Sequence, residues 1–171
     1  GKRFVLQWSW HPKALPTAVP VSAALAAARV GMDITIAAPE GCDLDPEDVA
    51  RIQSLAREAG GGAIAVVHDQ SAAIAGADAV YAKSWGPVSL FGQPEAQRAW
   101  FDRSRGWRLT AEQMRTTQGG RGIAMHCLPV RRNVEVDDAV LDGPQSVVVD
   151  EAENRLHVQR ALLLSMIGSV R

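Results

Sequence analysis

Excess charge of either sign is missing from this 171-residue sequence, and lysine is scarce in it. Its 18 lysine and arginine residues stand against 19 aspartate and glutamate residues, for a formal net charge of -1 at pH 7. Proteins that bind nucleic acid or an anionic membrane surface need clustered cations, which this balance does not supply. We therefore expect no nucleic-acid partner. Only three of the cations are lysines, namely Lys2, Lys13 and Lys83, so the location of each is informative.

Long apolar runs and cysteines are also few. No segment approaches the roughly 18 continuous apolar residues that a membrane-spanning helix requires, so no membrane partner is expected. Residues 1–6 have neither the apolar core nor the cleavage site of a signal peptide, which favours a cytoplasmic location. The two cysteines, Cys42 and Cys127, lie in different local contexts and are typical of reduced thiols rather than of a disulfide framework.

Short β-branched segments alternate with alanine-rich helical segments throughout the chain. Such alternation is typical of βαβ units, so the sequence predicts a single α/β domain, a three-layer, doubly wound parallel sheet of the Rossmann-like class. The predicted strands cover residues 3–8, 32–37, 63–67, 78–82, 122–126 and 145–149. The predicted helices cover residues 17–30, 46–59, 70–75, 94–101, 110–117 and 151–168.

Three of the predicted helices begin at recognisable capping residues. Asp45 precedes a proline, which places a side-chain acceptor at the N-cap and a fixed φ at the first helical position. Thr110 and Gln113 have the spacing of a capping box. Asp150 and Glu153 have the same spacing, so we expect the last helix to open at Asp150.

Candidate functional residues follow the predicted strands, because ligands of an open parallel sheet bind beyond the carboxyl ends of its strands. His11 follows the first strand, Lys83 the fourth, and His126 and Arg131 the fifth. Segment 83–93 is also the longest without a clear element, and long loops in compact domains are often functional. These imidazoles and cations indicate an anion site at one edge of the sheet. A purely structural interpretation also stands, with His126 as a hydrogen-bonded core residue and Arg131 as a solvated one.

Metal, hydrolase and dinucleotide sites have little support in the sequence. The four histidines are scattered, and no pair of cysteines or histidines has a ligand spacing such as CxxC or HxxxH. No G-x-S-x-G nucleophile motif follows a strand. The turn at residues 8–12 lacks the glycines with which a backbone approaches a pyrophosphate. We therefore expect no metal and no cofactor.

Residues 125–133, Met-His-Cys-Leu-Pro-Val-Arg-Arg-Asn, resemble the His-Cys-Leu-Pro motif of the carbamoyltransferases that act on ornithine and related amino acids. Residues 150–159, Asp-Glu-Ala-Glu-Asn-Arg-Leu-His-Val-Gln, resemble the final helix of the same family. The resemblance extends over residues 1–171, as the second, amino-acid-binding domain of such an enzyme. We expect the first domain, which carries a Ser-x-Arg-Thr phosphate loop in the family, to be absent from this chain.

Residues 81–86, Tyr-Ala-Lys-Ser-Trp-Gly, indicate which branch of the family the sequence resembles. Plain ornithine enzymes carry an aspartate where Lys83 stands, and that aspartate receives the α-ammonium group of ornithine. A lysine repels an ammonium group and attracts a carboxylate, which suits a substrate whose α-amine is acylated. Together with residues 8–13 and 17–20, this segment is similar to the N-acetylornithine branch.

The resemblance implies roles for individual residues. Cys127, Leu128 and Arg155 would bind carbamoyl phosphate. Lys83 and Arg131 would hold the carboxylate of N-acetylornithine, a task that suits the bidentate geometry of arginine.

Glu135 stands where the family form has a lysine that carries an added carboxyl group. Near the acyl end of the substrate, Glu135 would supply a carboxylate without modification. His11, His126 and Trp85 are further candidates for the substrate site.

The reaction implied by the resemblance transfers a carbamoyl group from carbamoyl phosphate to the δ-amine of N-acetylornithine, a step of arginine biosynthesis, without a covalent enzyme intermediate. The resemblance also implies a homotrimer and an inactive isolated domain. Other interpretations stay open at this point. They are a transferase for N-succinylornithine or plain ornithine, and a non-catalytic α/β module that binds a small carboxylate.

Overall fold

The computed structural model describes residues 1–168, whose five-stranded parallel sheet has the order β3-β2-β1-β4-β5. The strands are β1 (Arg3–Trp8), β2 (Asp33–Ala37), β3 (Ile64–Val67), β4 (Ala79–Lys83) and β5 (Ile123–Met125). The helices are α1 (Ala18–Arg29), α2 (Pro46–Glu58), α3 (Gln70–Ile74), α4 (Pro94–Arg103), α5 (Ala111–Arg115), α6 (Asp138–Leu141) and α7 (Val148–Gly168). Two single turns of 3-10 helix cover Val88–Leu90 and Gln118–Gly120. In the part of the chain that the structure describes, no helix has the length and apolar character needed to span a bilayer.

Strand β1 lies at the centre of the sheet and is buried on both of its faces. Phe4, Leu6 and Trp8 pack on one side, in a core to which α1 and α2 contribute. Val5 packs on the other side, in a core to which α3, α5 and α6 contribute. Burial on both faces explains why the strand is almost continuously apolar, as parallel strands are. The predicted three-layer, doubly wound α/β fold is confirmed.

Two of the three predicted helix starts are confirmed. The Asp45 side chain accepts a 2.8 Å hydrogen bond from a backbone amide in the first turn of α2. Thr110 and Gln113 form the reciprocal bonds of a capping box at α5, at 2.9 and 3.2 Å. The predicted start at Asp150 is wrong, because α7 already begins at Val148 and Asp150 lies in its first turn.

The sixth predicted strand, residues 145–149, is also wrong. Ser146 forms only an isolated bridge to Ala124 of β5, and the chain then turns into α7. The carbonyl of Val147 accepts a 2.9 Å hydrogen bond from the Glu151 amide, so the valines here belong to a helix start. A short β-branched run cannot be assigned from its pattern alone, and the adjoining long helix decides its conformation.

The order of the strands opens a crevice between β1 and β4. The chain passes from β1 to β2 and β3 on one side and then returns across the sheet to β4 on the other. At such a switch point the connections leave the carboxyl ends of neighbouring strands in opposite directions. Trp8 and Lys83 pair in register there, and the Ser9 amide donates to the Lys83 carbonyl at 3.1 Å. The loops after β1 and β4 therefore begin side by side.

Candidate active site

A cavity of about 420 Å³ lies in this crevice, bordered by the end of β4 and by the loops after β1 and β5. Its wall includes four residues that the sequence singled out, which are His11, Lys83, Arg131 and Glu135. The rest of the wall is formed by Leu15, Pro129 and Val130. The cavity thus combines two cations, an imidazole and a carboxylate with an apolar surface. It can hold a small molecule that has an anionic group and an aliphatic part.

Lys83 ends β4 and is partly buried at the wall of the cavity. The residues on either side of it, Ala82 and Ser84, are fully buried, so the backbone at this point is fixed by the core. None of the ion pairs among residues 1–168 involves the Lys83 ammonium group. Its charge is therefore free to attract an anion in the cavity.

Arg131 and Arg132 are neighbours in sequence but have different surroundings. Arg132 donates to the carboxylates of Asp138 and Asp142 at distances of 2.6 to 2.8 Å, and these hydrogen bonds raise the pKa of Arg132 further. Arg131 forms no ion pair with a carboxylate in the described part of the chain, and its Nε lies 3.1 Å from Nε2 of His11. Arg132 therefore ties the loop to α6, whereas Arg131 offers its charge to the cavity.

The loop after β5 begins with a backbone conformation that the adjacent histidine supports. Leu128 has a φ of 50°, in the left-handed region that side chains with a β-carbon rarely adopt. Its amide donates a 3.0 Å hydrogen bond to Nδ1 of His126, whose ring is completely buried. Because Nδ1 is the acceptor, the neutral ring carries its proton on Nε2. That nitrogen faces Oε1 of Glu135 at 3.6 Å.

Glu135 is a buried carboxylate that closes the same loop. Its Oε2 accepts a 2.8 Å hydrogen bond from the Arg131 amide, and only 2% of the residue is exposed. Burial favours the protonated form, but the nearby imidazoles of His126 and His11 and the hydrogen bond from the Arg131 amide outweigh it and lower the pKa of Glu135. Glu135 is therefore ionised at neutral pH, and its charge is largely committed to the loop itself.

Cys127 comes shortly after β5 and does not line the cavity. It is partly buried against the core that contains Tyr81. Burial, followed by the proximity of Glu151 and Cys127, raises the pKa of Tyr81, so the phenol stays protonated at neutral pH. Oε2 of Glu151 also accepts a 3.0 Å hydrogen bond from the His126 amide. The start of α7 is thereby attached to the end of β5.

Three predicted carbamoyl phosphate residues occupy a different part of the edge from Lys83. Cys127 and Leu128 are partly buried and do not line the 420 Å³ cavity. Arg155 is exposed on α7, in a shallow groove that also involves Glu151. The structure thus brings together the predicted amino-acid-binding residues, but it does not bring the predicted carbamoyl phosphate residues into the same cavity.

Trp85 is fully buried and does not line the cavity. Its indole N–H donates to the Cys42 carbonyl at 2.8 Å, and its own carbonyl accepts from the Trp8 indole at 2.7 Å. These bonds lock the loop after β4 to the core. Trp85 therefore holds the loop that begins after Lys83 against the core, and its side chain does not face a ligand.

Residues at this edge of the sheet that were not among the sequence-based candidates include Leu15 and Glu151. Leu15 lines the cavity from the loop after β1, and no motif in that loop marks it. Glu151 was within reach of sequence analysis, because it belongs to the 150–159 segment that resembles the family's last helix. Among residues 1–168 no three His, Cys, Asp or Glu side chains are grouped in a way that could hold a metal ion.

Comparison with known proteins places this geometry in a family. Residues 16–166 match the family model described as aspartate/ornithine carbamoyltransferase, Asp/Orn binding domain. The N-acetylornithine carbamoyltransferase of Xanthomonas campestris pv. campestris is 42% identical over 171 residues, which is 100% of this chain and 50% of the relative. The ornithine carbamoyltransferase of Symbiobacterium thermophilum is 44% identical over 136 residues, covering 80% of this chain and 42% of the relative.

Solved structures agree with these sequence matches. The crystal structure of acetylornithine transcarbamylase complexed with acetylcitrulline superimposes with a TM-score of 0.92 at 43% identity, over 96% of this chain and 49% of that one. The chain spans about half the length of the curated relatives that it matches. It belongs to the aspartate/ornithine carbamoyltransferase family and corresponds to the part that the family model describes as the Asp/Orn binding domain.

Proposed function

We propose that this chain supplies the amino-acid-binding half of the active site of an N-acetylornithine carbamoyltransferase. The complete enzyme transfers the carbamoyl group of carbamoyl phosphate to the δ-amine of N-acetyl-L-ornithine and releases N-acetyl-L-citrulline and phosphate. The observation that carries the proposal is the pair of cations in the cavity, Lys83 and Arg131, neither of which is neutralised by an ion pair within residues 1–168.

The charges of the cavity favour an acylated substrate over free ornithine. Plain ornithine brings an α-ammonium group beside its carboxylate, and Lys83 and Arg131 repel that group. Among residues 1–168, Glu135 is the only carboxylate on the cavity wall, and it is already engaged by the Arg131 amide and faces His126. An N-acylated ornithine presents a neutral amide instead, so its carboxylate is attracted to the cations without an opposing repulsion.

Catalysis in this proposal rests on position and charge. The δ-amine attacks the carbamoyl carbon, the bond from that carbon to the phosphate oxygen breaks, and phosphate leaves with the electron pair and takes up the proton that the amine loses. Holding the two substrates in the required orientation lowers the barrier, and cations stabilise the negative charge of the tetrahedral transition state. Cys127, Leu128 and Arg155 are proposed to bind carbamoyl phosphate, with Cys127 as an orienting group rather than a nucleophile.

The surface of α7 supports the proposal that another part of the enzyme completes the site. Most of this helix is exposed, and its exposed residues include the large apolar side chains Leu156, Leu162, Leu163, Met166 and Ile167. Contiguous apolar surface of this kind marks an interaction site. We propose that the carbamoyl phosphate domain packs on α7 and brings its phosphate-binding residues to Arg155. The enzyme is further proposed to be a cytoplasmic homotrimer, as in the family that the sequence resembles.

N-Succinylornithine is the second candidate substrate. One similar structure is an N-acetyl-L-ornithine transcarbamylase variant in complex with carbamyl phosphate and N-succinyl-L-norvaline, at a TM-score of 0.92. That related protein, in its altered form, holds a succinylated amino acid. Lys83 and Arg131 would bind the α-carboxylate of either acylated ornithine, so the choice of acyl group depends on contacts beyond these two cations.

The proposal is tested by steady-state kinetics of the full-length protein that carries this chain. We call this protein the full-length enzyme. N-acetylornithine, N-succinylornithine and ornithine are compared at saturating carbamoyl phosphate. We expect kcat/KM for N-acetylornithine to exceed that for ornithine by about 100-fold or more, since juxtaposed like charges cost several kcal/mol and 1.4 kcal/mol is a factor of ten. Equal values for N-acetylornithine and ornithine would contradict it, and a preference for the succinylated substrate would favour the second candidate.

A further inference from the structure

His11 contacts the side chain of Arg131 at the wall of the cavity. It lies in the loop after β1, only 8% of it is exposed, and both ring nitrogens have close neighbours. Nε2 is 3.1 Å from Nε of Arg131. Nδ1 is 2.9 Å from the carbonyl oxygen of Lys13 and 3.0 Å from its amide nitrogen.

These contacts determine the tautomer of the ring. The Nε–H of an arginine only donates, so Nε2 of His11 must be the acceptor and cannot carry a proton. A neutral imidazole with an unprotonated Nε2 has its proton on Nδ1, and that proton is directed to the Lys13 carbonyl. The alternative, in which the Lys13 amide donates to Nδ1, would place a second donor against the Arg131 Nε–H. The ring is therefore neutral, with a hydrogen bond at each nitrogen.

Arg131 is thereby fixed at both ends. Its amide is held by Glu135 at 2.8 Å, and its guanidinium is held at Nε by His11. With Nε occupied, the two terminal NH₂ groups remain for a ligand, and this edge matches the two oxygens of a carboxylate. A long side chain that is already ordered loses less freedom on binding.

We propose, on the basis of the function proposed above, that His11 is a positioning residue for the α-carboxylate of the substrate. It acts through Arg131 by presenting the terminal NH₂ groups of the guanidinium to the cavity. Such a role predicts an effect on substrate binding and little effect on the chemical step, because the carboxylate is held equally in the ground state and in the transition state.

The test uses steady-state kinetics of the full-length enzyme with His11→Leu, His11→Gln and the control His68→Gln. His68 lies just after β3, at the opposite edge of the sheet, and is not part of the site. We expect His11→Leu to raise KM for the amino-acid substrate about tenfold with kcat changed less than twofold. His11→Gln should stay within about threefold of the wild type, because its amide oxygen accepts from the Arg131 Nε–H.

A double-mutant cycle separates positioning from structural damage. In an Arg131→Ala background, His11→Leu is expected to change KM less than twofold, since there is no guanidinium left to hold. An unchanged KM in His11→Leu alone, or an equal effect of His11→Leu with and without Arg131, would overturn the proposal. If His11→Leu does not fold, His11→Ala, which also lacks an acceptor for the Arg131 Nε–H, takes its place in the same cycle.

A failure of the proposed role of His11 can be distinguished from a failure of the proposed function. Every acylated ornithine carries the same α-carboxylate, so the variants are compared on whichever acylated substrate the wild type uses. A wild type that turns over none of them contradicts the proposed function. A wild type that turns one over while His11→Leu keeps its KM contradicts only the role of His11.

Discussion

The carboxylate of Glu135 accepts a 2.8 Å hydrogen bond from the backbone amide of Arg131. The bond closes a loop of five residues at the carboxyl edge of the sheet and leaves the Arg131 side chain pointing to a cavity shared with Lys83. A buried acid therefore serves as the support for an arginine that binds the substrate in our proposal. The same contact explains why a single carboxylate on the wall does not cancel the two cations.

Replacing Glu135 by glutamine is expected to weaken the fold in a pH-dependent way. At pH 7, Glu135→Gln should cost about 2 kcal/mol, because a buried charge-assisted hydrogen bond is lost. The folded-state pKa of Glu135 is below its ordinary value, so the ionised group stabilises the fold above the unfolded-state pKa near 4.5, and this stabilisation is lost as the pH falls through the lowered pKa. Urea unfolding of the full-length enzyme between pH 7 and pH 3 should show that the difference in the free energy of unfolding between the wild type and Glu135→Gln becomes smaller as the pH falls.

The matched control for this measurement is Glu95→Gln. Glu95 is exposed in the first turn of α4, away from the loop. Its replacement should leave the urea midpoint nearly unchanged at every pH. A stability gap for Glu135→Gln that stayed constant down to acidic pH would mean that its charge is not what supports the loop.

Arg131 and Arg132 provide a pair of adjacent arginines with opposite expected phenotypes. Arg131→Ala should raise KM for the amino-acid substrate at least about tenfold, since a hydrogen-bonded charge contributes roughly 1.5–3 kcal/mol. Arg132→Ala should leave KM unchanged and lower the thermal midpoint, because Arg132 only ties the loop to Asp138 and Asp142. Steady-state kinetics and thermal unfolding of both variants decide the assignment, and the reverse pattern would refute it.

Cys127 is expected to be dispensable for bond formation. Cys127→Ala should lower kcat by no more than about tenfold, whereas loss of a true nucleophile costs about 10⁶-fold. Mass spectrometry of the wild type during turnover should reveal no carbamoylated enzyme. A covalent adduct on Cys127, or a loss of activity of the larger size, would show that the reaction passes through the cysteine.

Most of the sheet could be predicted from the sequence, because each of its five strands is a short, mostly apolar run between helical segments. The predicted ranges 3–8 and 78–82 agree with β1 and β4 to within one residue. The predicted strand 145–149 was wrong because the same valines start α7, and local pattern does not contain the tertiary contacts that choose between strand and helix.

The site could be predicted only in part. Lys83 and Arg131 could be predicted because they follow predicted strands, where the ligands of parallel sheets bind. Leu15 could not be predicted, since its place on the cavity wall depends on how the loop after β1 folds back. Trp85 stands in the recognisable loop but points into the core, and sequence position does not determine the direction of a side chain. The contacts of His11 and Glu135 with Arg131 could not be predicted from the sequence, because they are known only from the distances between these residues in the structure.

The central claim is that the charge of Lys83 selects an acylated ornithine, and the most direct measurement is the substrate preference of Lys83→Asp in the full-length enzyme, with Lys83→Met as the uncharged control. The quantity is the ratio of kcat/KM for N-acetylornithine to kcat/KM for ornithine. Reversal of the charge removes an attraction for the carboxylate and creates one for the α-ammonium group, so the ratio should fall by about 100-fold or more, with Lys83→Met in between. A ratio that stays the same in Lys83→Asp would contradict the account.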